Sequence, residues 1–148
     1  MSNIHIIVGT VMGTALEVAE TISESLEGNG HSVQIHTQFK KDILNQDPDD
    51  ILLICTSNTG MGDLPQNIIP FYEHLTQDYP PIAGRQYGLV NLGDSSYPNF
   101  AQAGKTLDEA MQDLGAQRLG EPLVLDAIYV SDYDDEAESW ALEWGQCL

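Results

Sequence analysis

Short apolar runs alternate along this chain with segments in which apolar residues recur at helical spacing. Runs rich in aliphatic and β-branched residues predict five buried strands, at 4–8, 33–37, 51–55, 87–92 and 123–125. Helical periodicity occurs at 15–26, 67–78, 100–114 and 137–144, and a polar connection at 39–50 follows the second run. Strands that alternate with helices predict an α/β fold with a doubly wound parallel sheet and helices on both faces.

Length and composition fit a single domain over residues 1–148. Hydrophobic residues make up 42% and charged residues 19% of the chain, which contains no repeat, low-complexity tract or linker. Cys55 and Cys147 are far apart, and the histidines at 5, 31, 36 and 74 are scattered without metal-ligand spacing, so neither a disulfide framework nor a metal site is predicted. The lack of a basic leader or a long apolar span predicts a cytoplasmic protein.

Two further sets of residues are expected to be structural. Cys55 falls in the central predicted strand, which predicts a buried and unreactive thiol. Trp140 and Trp144 lie four residues apart in the last helical pattern, so both face one side of that helix. We expect them to anchor the helix to the sheet.

The chain is strongly acidic. It contains 5 Lys and Arg against 23 Asp and Glu, which gives a formal net charge of -18. This charge argues against binding to nucleic acid, which requires a basic surface, and against binding to anionic lipid. It favours basic protein partners, but acidic residues also simply keep a protein soluble, and composition leaves both explanations open.

Ligands of doubly wound sheets bind beyond the carboxyl ends of the strands, which directs attention to three loops. The loops follow the first, third and fourth predicted strands, at 9–15, 57–65 and 93–101. They are rich in Gly, Thr, Ser and Asp and contain no Lys or Arg. We therefore expect a single functional site, built by these loops at one edge of the sheet.

The first loop, Gly-Thr-Val-Met-Gly-Thr-Ala at 9–15, joins a strand directly to a helix N-terminus. Unpaired backbone N–H groups and the helix dipole favour an anion there, most often phosphate. The loop is not a P-loop, because no Lys follows Gly13, and its glycine spacing is not that of a dinucleotide fingerprint. Phosphate would have to be bound by neutral donors, namely Thr10, Thr14 and backbone amides.

The other two loops suit a flat ring. In the second loop, Gly60 and Gly62 allow close approach of the backbone, and Asp63 is expected to cap the following helix. In the third loop, Tyr97 can cover one face of an aromatic ligand, although a tyrosine in a polar loop is often only a surface residue. Together the three loops describe a phosphate site beside a slot for a flat ring.

These loops resemble those of flavodoxins, and the whole chain is compatible with the resemblance. The third loop, GDSSYPNFA at 93–101, is similar to the family's GDSSY ring-binding loop. The segment TGMGDLP at 59–65 resembles the GxGD loop of flavodoxin-like domains in diflavin reductases, and GTVMGTA occupies the place of the family's phosphate loop. Residues 117–130 leave no room for the insertion of long-chain members, so the chain resembles short-chain bacterial flavodoxins.

The resemblance implies a five-stranded sheet in the order 2-1-3-4-5, an FMN cofactor and one-electron transfer rather than enzymatic catalysis. It assigns residues 10–15 to the FMN phosphate, residues 57–61 to the inner side of the ring, Asp94 and Ala101 to its pyrimidine edge, and Tyr97 to its outer face. The full set of cofactor-binding residues that it implies is Thr10, Val11, Met12, Gly13, Thr14, Ala15, Ser57, Asn58, Thr59, Gly60, Met61, Gly62, Gly93, Asp94, Tyr97, Asn99, Phe100 and Ala101.

Three positions depart from the family pattern. Met12 and Ala15 replace hydroxyl residues of the common phosphate loop. Thr59 stands where many relatives place an aromatic residue on the inner face of the ring. We therefore expect weaker FMN binding than in a typical flavodoxin.

The resemblance also implies a carrier that receives electrons from a flavodoxin reductase-type donor and passes them to acceptor proteins with basic docking faces. Residues 126–148 carry seven acidic side chains and no Lys or Arg, so they form a candidate docking face or simply a solvated helix face. We expect a monomer. Two alternatives remain: a flavodoxin-like interaction module that binds FMN weakly or not at all, and a flavin-dependent quinone reductase.

Overall fold

A computed structural model of the chain describes residues 2–45, 47–58, 62–96, 101–130 and 132–148. Its centre is a sheet in which every observed strand pair is parallel, in the order β2-β1-β3-β4-β5, with β6 also paired to β4. The strands are β1 (Asn3–Gly9), β2 (Ser32–His36), β3 (Ile51–Thr56), β4 (Gln86–Gly93), β5 (Gln117–Arg118) and β6 (Leu123–Asp126). The predicted doubly wound parallel sheet is therefore confirmed.

Helices cover both faces of the sheet and create two separate cores. On one face lie α1 (Thr14–Gly28) and α4 (Tyr133–Gly145); on the other lie α2 (Ile69–Glu73) and α3 (Gln102–Asp113). Side chains of β3 alternate between the two cores, and all of its residues are buried. Burial on both faces explains why this strand is a continuous apolar run rather than an alternating one.

The fifth position of the sheet differs from the prediction of one strand at 123–125. Two short strands occupy it, because Gly120 adopts a left-handed φ of 65° and Pro122 has no N–H to donate to a ladder. The break frees two backbone carbonyls. Trp144 Nε1–H donates to the Leu119 carbonyl at 3.1 Å, and Trp140 Nε1–H donates to the Glu121 carbonyl at 2.9 Å. The predicted anchoring of the last helix by these tryptophans is confirmed.

The predicted helix at 67–78 is a composite of three short helical segments. A 3₁₀ turn, Gln66–Ile68, leads into α2, which continues as a π-helical turn, His74–Asp78. The turn begins with Pro65 at its cap position, so the prediction that Asp63 caps this helix is wrong. The helical turn starts later than the position of Asp63 predicts, because Pro65, with its extended ψ of 145°, separates Asp63 from the first helical residue, Gln66.

The connection at 39–50 is not wholly polar, contrary to the sequence-based description. It contains a 3₁₀ helix, Lys41–Asn45, whose Ile43 and Leu44 are buried. The Leu44 carbonyl accepts a hydrogen bond of 2.8 Å from Arg85 Nη2. Two adjacent apolar residues have no period of their own, which is why the sequence pattern did not reveal this segment.

The histidines are not all scattered, since His5 and His36 are in contact. Parallel register places His5 of β1 opposite Gln34, two residues before His36, so both imidazoles lie on the same face of the sheet. His5 Nδ1 and His36 Nε2 are 3.0 Å apart, and His5 Nε2 lies 3.0 Å from Asp50 Oδ2. The ring nitrogens of the two histidines pair with each other and with Asp50, so they do not point towards a common centre where a metal ion could lie. The described ranges contain no group of three or more His, Cys, Asp or Glu positioned to bind a metal.

Candidate functional site

The three loops singled out in the sequence begin at the same edge of the sheet. Register pairs Gly9 of β1 with Thr56 of β3, and Thr56 with Asn91 of β4. The carboxyl ends of these three strands are therefore side by side, and the chain leaves each of them on the same side of the molecule.

The first loop presents backbone N–H groups to solvent at the start of α1. Gly13 occupies the N-cap position with φ 90° and, as a glycine, has no side chain to cap the helix. Val11 and Met12 are 63% and 91% exposed. The Thr10 hydroxyl accepts a hydrogen bond of 2.8 Å from the Gly13 N–H, which closes the turn. An exposed helix N-terminus without a side-chain cap can bind an anion through its backbone amides.

Ala15, the last residue of the first loop, belongs to the protein core. Its side chain is fully buried in the core between the sheet and α1, and its carbonyl accepts a weak hydrogen bond from Cys55 Sγ at 3.4 Å. A serine or threonine at this position would therefore have to fit its hydroxyl into the core.

The second loop is joined to the first and to α3. Ser57 donates to the Gly9 carbonyl from its backbone N–H at 2.8 Å and from its hydroxyl at 3.3 Å. Asn58 Oδ1 accepts a hydrogen bond of 2.9 Å from the Ala103 N–H in the first turn of α3. Gly62 is buried and adopts φ 86°, a conformation that glycine adopts without strain.

The third loop is fixed at its start by two carboxylates. Asp94 Oδ1 accepts hydrogen bonds from the backbone N–H of Ser96 at 2.8 Å and from its hydroxyl. Asp126, at the end of β6, accepts through Oδ1 from the N–H groups of Ser95 at 3.1 Å and Ile128 at 3.0 Å. Partial burial would raise the pKa of Asp126, but hydrogen bonds from Ser95 and Ile128 outweigh it and lower the pKa.

The negative charge at this edge also affects the phenol of the neighbouring Tyr133. Burial, followed by the carboxylates of Asp126 and Asp94, raises the pKa of Tyr133. Both carboxylates therefore lie near the start of α4 as well as in the loop region. These two carboxylates, with no Lys or Arg in any of the three loops, place an excess of acidic side chains at this edge.

The return of the third loop into α3 is fixed by a residue of β4. Ala101 precedes α3 with φ 58°, and its carbonyl accepts a hydrogen bond of 2.7 Å from the side chain of buried Asn91. α3 has no side-chain cap from Ala101 itself.

Six of the sequence-predicted site residues lie outside the described residues: Thr59, Gly60, Met61, Tyr97, Asn99 and Phe100.

Sequence reasoning missed three residues that hold the loops in place: Asn67, Asn91 and Asp126. Asn67 bonds to the first loop, Asn91 to the end of the third, and Asp126 to its start. Asn91 and Asp126 stand at or near the ends of strands, where an isolated polar residue in an apolar run was an available signal. Asn67 carried no such signal, because its partners lie in distant parts of the sequence.

Comparison with known proteins identifies the family. Residues 6–140 match the model of the Flavodoxin family. The chain belongs to the flavodoxin family. This flavodoxin is 36% identical to Flavodoxin YqcA of Escherichia coli (strain K12) over 148 residues, covering 100% of the chain and 99% of the relative. It is 31% identical to the protein MioC of the same organism, again over 100% of the chain and 99% of the relative.

Solved structures agree with the sequence matches. This flavodoxin superimposes on a cysteine-to-serine mutant of flavodoxin from Pseudomonas aeruginosa with a TM-score of 0.91 and 33% identity, covering 99% of this chain and 98% of that one. The predicted short-chain flavodoxin fold is thus confirmed. Flavodoxins bind FMN and are electron-transfer flavoproteins rather than enzymes.

The residues present fit FMN. A phosphate group requires several N–H or O–H donors, and the first loop offers those of an uncapped helix N-terminus together with threonine hydroxyls. Gly13 and Gly62 both have a positive φ, which lets the backbone turn tightly at the two loops that border this edge.

None of the helices within the described ranges is long and apolar enough to cross a membrane.

Proposed function

We propose that this flavodoxin binds FMN across its three loops and carries single electrons from a reductase-type donor to acceptor proteins. Bound FMN supplies the one-electron redox chemistry. Residues 10–15 bind its phosphate, residues 57–62 lie along one side of its ring, and Gly93, Asp94, Tyr97, Asn99, Phe100 and Ala101 complete the ring site. The supporting observation is the uncapped, solvent-facing N-terminus of α1 at the edge where the three loops begin.

Docking partners with basic faces are proposed from the placement of charge. Acidic side chains are exposed along α4, whose first turn holds Asp134, Asp135 and Glu136. Of the five basic side chains, Arg85 is buried, while Lys41 and Arg118 form ion pairs with Asp78 and Asp108. An acidic face beside a redox site attracts basic partners and accelerates encounter.

Exposed apolar residues lie beside this acidic face. Ile128 and Tyr129, between β6 and α4, are 53% and 82% exposed. A small apolar centre surrounded by charge is typical of a docking surface for transient redox complexes. We propose that the protein works as a monomer in the cytoplasm and meets its partners at this edge.

The visible absorption spectrum tests the proposal directly. Purified protein is incubated with excess FMN, desalted, and compared with free FMN. We expect retained flavin with shifted absorption peaks, and no oxidation of NAD(P)H by the protein alone. A colourless protein would instead support the interaction-module alternative, and steady NAD(P)H oxidation would support a quinone reductase.

A pair of Thr→Val variants assigns the phosphate loop. Thr14 opens α1 in the first loop, whereas Thr76 lies remote from the three loops and bonds to the Tyr72 carbonyl. We expect Thr14→Val to raise the dissociation constant of FMN about tenfold, since one hydrogen bond to a charged group is lost. Thr76→Val should leave it unchanged, and equal effects of the two variants would contradict the assignment.

A further inference from the structure

The side-chain amide of Asn67 takes the place of a peptide group beside the end of β1. Its Oδ1 accepts a hydrogen bond of 2.9 Å from the Thr10 N–H, and its Nδ2 donates to the Val8 carbonyl at 2.7 Å. A residue in a parallel strand bonds in the same manner to the residues on either side of the one opposite it. Asn67 thus extends the ladder next to Gly9 by one residue.

This position lies where the neighbouring strand is missing. The ladder between β1 and β2 ends with the pair Ile7 and His36, so the Val8 carbonyl and the Thr10 N–H lie beyond the last pair of the register. Gly9 points its carbonyl the other way, towards Ser57 on the β3 side. Asn67 Nδ2 also donates to the Thr37 carbonyl at 3.0 Å, which connects this amide to the chain leaving β2.

Gly9 permits the close approach that these bonds require. A Cβ atom at Gly9 would lie 2.9 Å from Cγ2 of Ile68, the residue after Asn67. Such a contact is too short for a real methyl group, so a side chain at residue 9 would displace the Gln66–Ile68 turn.

Asn67 reaches the start of α1 through Thr10. Its bond fixes the Thr10 backbone, and the Thr10 hydroxyl accepts from the Gly13 N–H at 2.8 Å. The Thr10 hydroxyl uses an oxygen lone pair for that bond and keeps its O–H for a ligand. The direction of this O–H, and the shape of the turn from residue 10 to residue 13, therefore depend on Asn67.

We propose that Asn67 is a positioning residue that sets the preference of this flavodoxin for a phosphorylated flavin over an unphosphorylated one. The inference rests on the proposed function, in which residues 10–15 bind the FMN phosphate. Asn67 bonds to the protein backbone and not to the ligand, so it acts through Thr10. Its effect falls on the phosphate and not on the ring.

The test compares FMN with riboflavin, which has the same ring but no phosphate. Dissociation constants for both are measured on the apoprotein by quenching of flavin fluorescence, for wild type, Asn67→Ala and the matched control Asn29→Ala. Asn29 follows the C-terminal end of α1, away from the three loops. We expect Asn67→Ala to weaken FMN binding about tenfold and riboflavin binding less than about twofold, a selective loss of one bond's worth of affinity. Asn29→Ala should change neither constant.

Each outcome has a distinct meaning. If Asn67→Ala keeps the wild-type ratio of FMN to riboflavin affinity, the positioning role is overturned while the proposed function stands. If wild type binds FMN no better than riboflavin, the phosphate assignment of residues 10–15 fails instead. Should Asn67→Ala not fold, Asn67→Gln, which displaces the amide by one methylene, is expected to show the same selective loss, and an unchanged ratio there overturns the role.

Discussion

Asn58 of the second loop accepts, through its side-chain oxygen, a hydrogen bond of 2.9 Å from the backbone N–H of Ala103 at the start of α3. This N–H of the first turn of α3 is therefore bonded by a residue 45 positions earlier in the sequence and not by the side chain of the helix's own cap residue, Ala101. One side chain thereby fixes the second loop relative to the end of the third.

Asn58→Ala should destabilise the apoprotein by about 1 kcal/mol or more, because a helix cap is worth roughly that amount. Asn58→Asp retains an acceptor for the Ala103 N–H and should lose much less. Urea denaturation followed by circular dichroism measures both free energies of unfolding. An Asn58→Ala variant as stable as wild type would show that this bond does not support α3.

Gly9→Ala should destabilise the protein by about 1–3 kcal/mol, the usual cost of overpacking. The new Cβ would lie 2.5 Å from Thr56 Oγ1 and 2.9 Å from Ile68 Cγ2, and both neighbours are buried. Gly28→Ala is the control, because nothing lies within 4 Å of a Cβ at the end of α1. There, alanine should leave the free energy of unfolding unchanged or raise it by up to about 1 kcal/mol. Equal effects at the two glycines would contradict the close approach at residue 9.

The two cysteines should react with thiol reagents at very different rates. Burial raises the pKa of Cys55 to about 12, so its thiolate is scarce at neutral pH, whereas Cys147 is exposed. We expect one equivalent of thiol to react rapidly with DTNB in the native protein and the second only after unfolding. In Cys147→Ser the rapid phase should vanish; rapid labelling that persists there would mean that Cys55 is accessible.

The sequence was sufficient for the sheet and for the location of the site because both follow from local patterns. A strand buried on both faces must be apolar throughout, as 51–55 is, and loops after parallel strands must emerge at one edge. The first loop could likewise be interpreted as an anion site, since a glycine between a strand and a helix start is visible in a short segment.

What the sequence could not supply was contact between distant residues. The pairing of His5 with His36 depends on the register of two strands, and no period in the sequence encodes it. The same holds for Asn67, which bonds to residues 57 to 59 positions away near the end of β1 and in the first loop. The break in the fifth strand, by contrast, follows from Gly120 and Pro122, two residues whose effect on a strand is visible in the local sequence.

Stability should fall on acidification through the contribution of His36. Burial, and secondarily the neighbouring His5, lowers the pKa of His36 below its ordinary value of 6.5, although Asp42 opposes this. The folded state therefore binds this proton less readily than the unfolded state. The stabilising contribution is fully present above about pH 6.5 and is lost as pH falls towards the lower pKa of the folded state.

The comparison of wild type with His36→Gln isolates this contribution. Glutamine keeps an N–H near the position of Nε2, which faces His5, while Asp50 on the far side of His5 and Asp42 beside His36 remain in both proteins. We expect the free energy of unfolding of wild type to decrease more than that of His36→Gln between about pH 7.5 and about pH 5.5. Parallel pH dependences would rule out a role for His36.

Docking through the acidic face should make electron transfer sensitive to salt. With FMN bound and reduced, the second-order rate of transfer to a basic redox protein such as cytochrome c should fall at least about threefold as ionic strength rises from roughly 0.01 to 0.1 M, because the Debye length shrinks from ~30 to ~10 Å. Asp135→Asn with Glu136→Gln, in the first turn of α4, should reduce both the rate at low salt and its salt dependence. The control pair, Asp47→Asn with Asp49→Asn, removes the same charge from exposed positions just before the start of β3, at the opposite edge of the sheet. Since both pairs change the net charge equally, a larger effect of the α4 pair assigns the docking face, whereas equal effects would mean that only net charge matters.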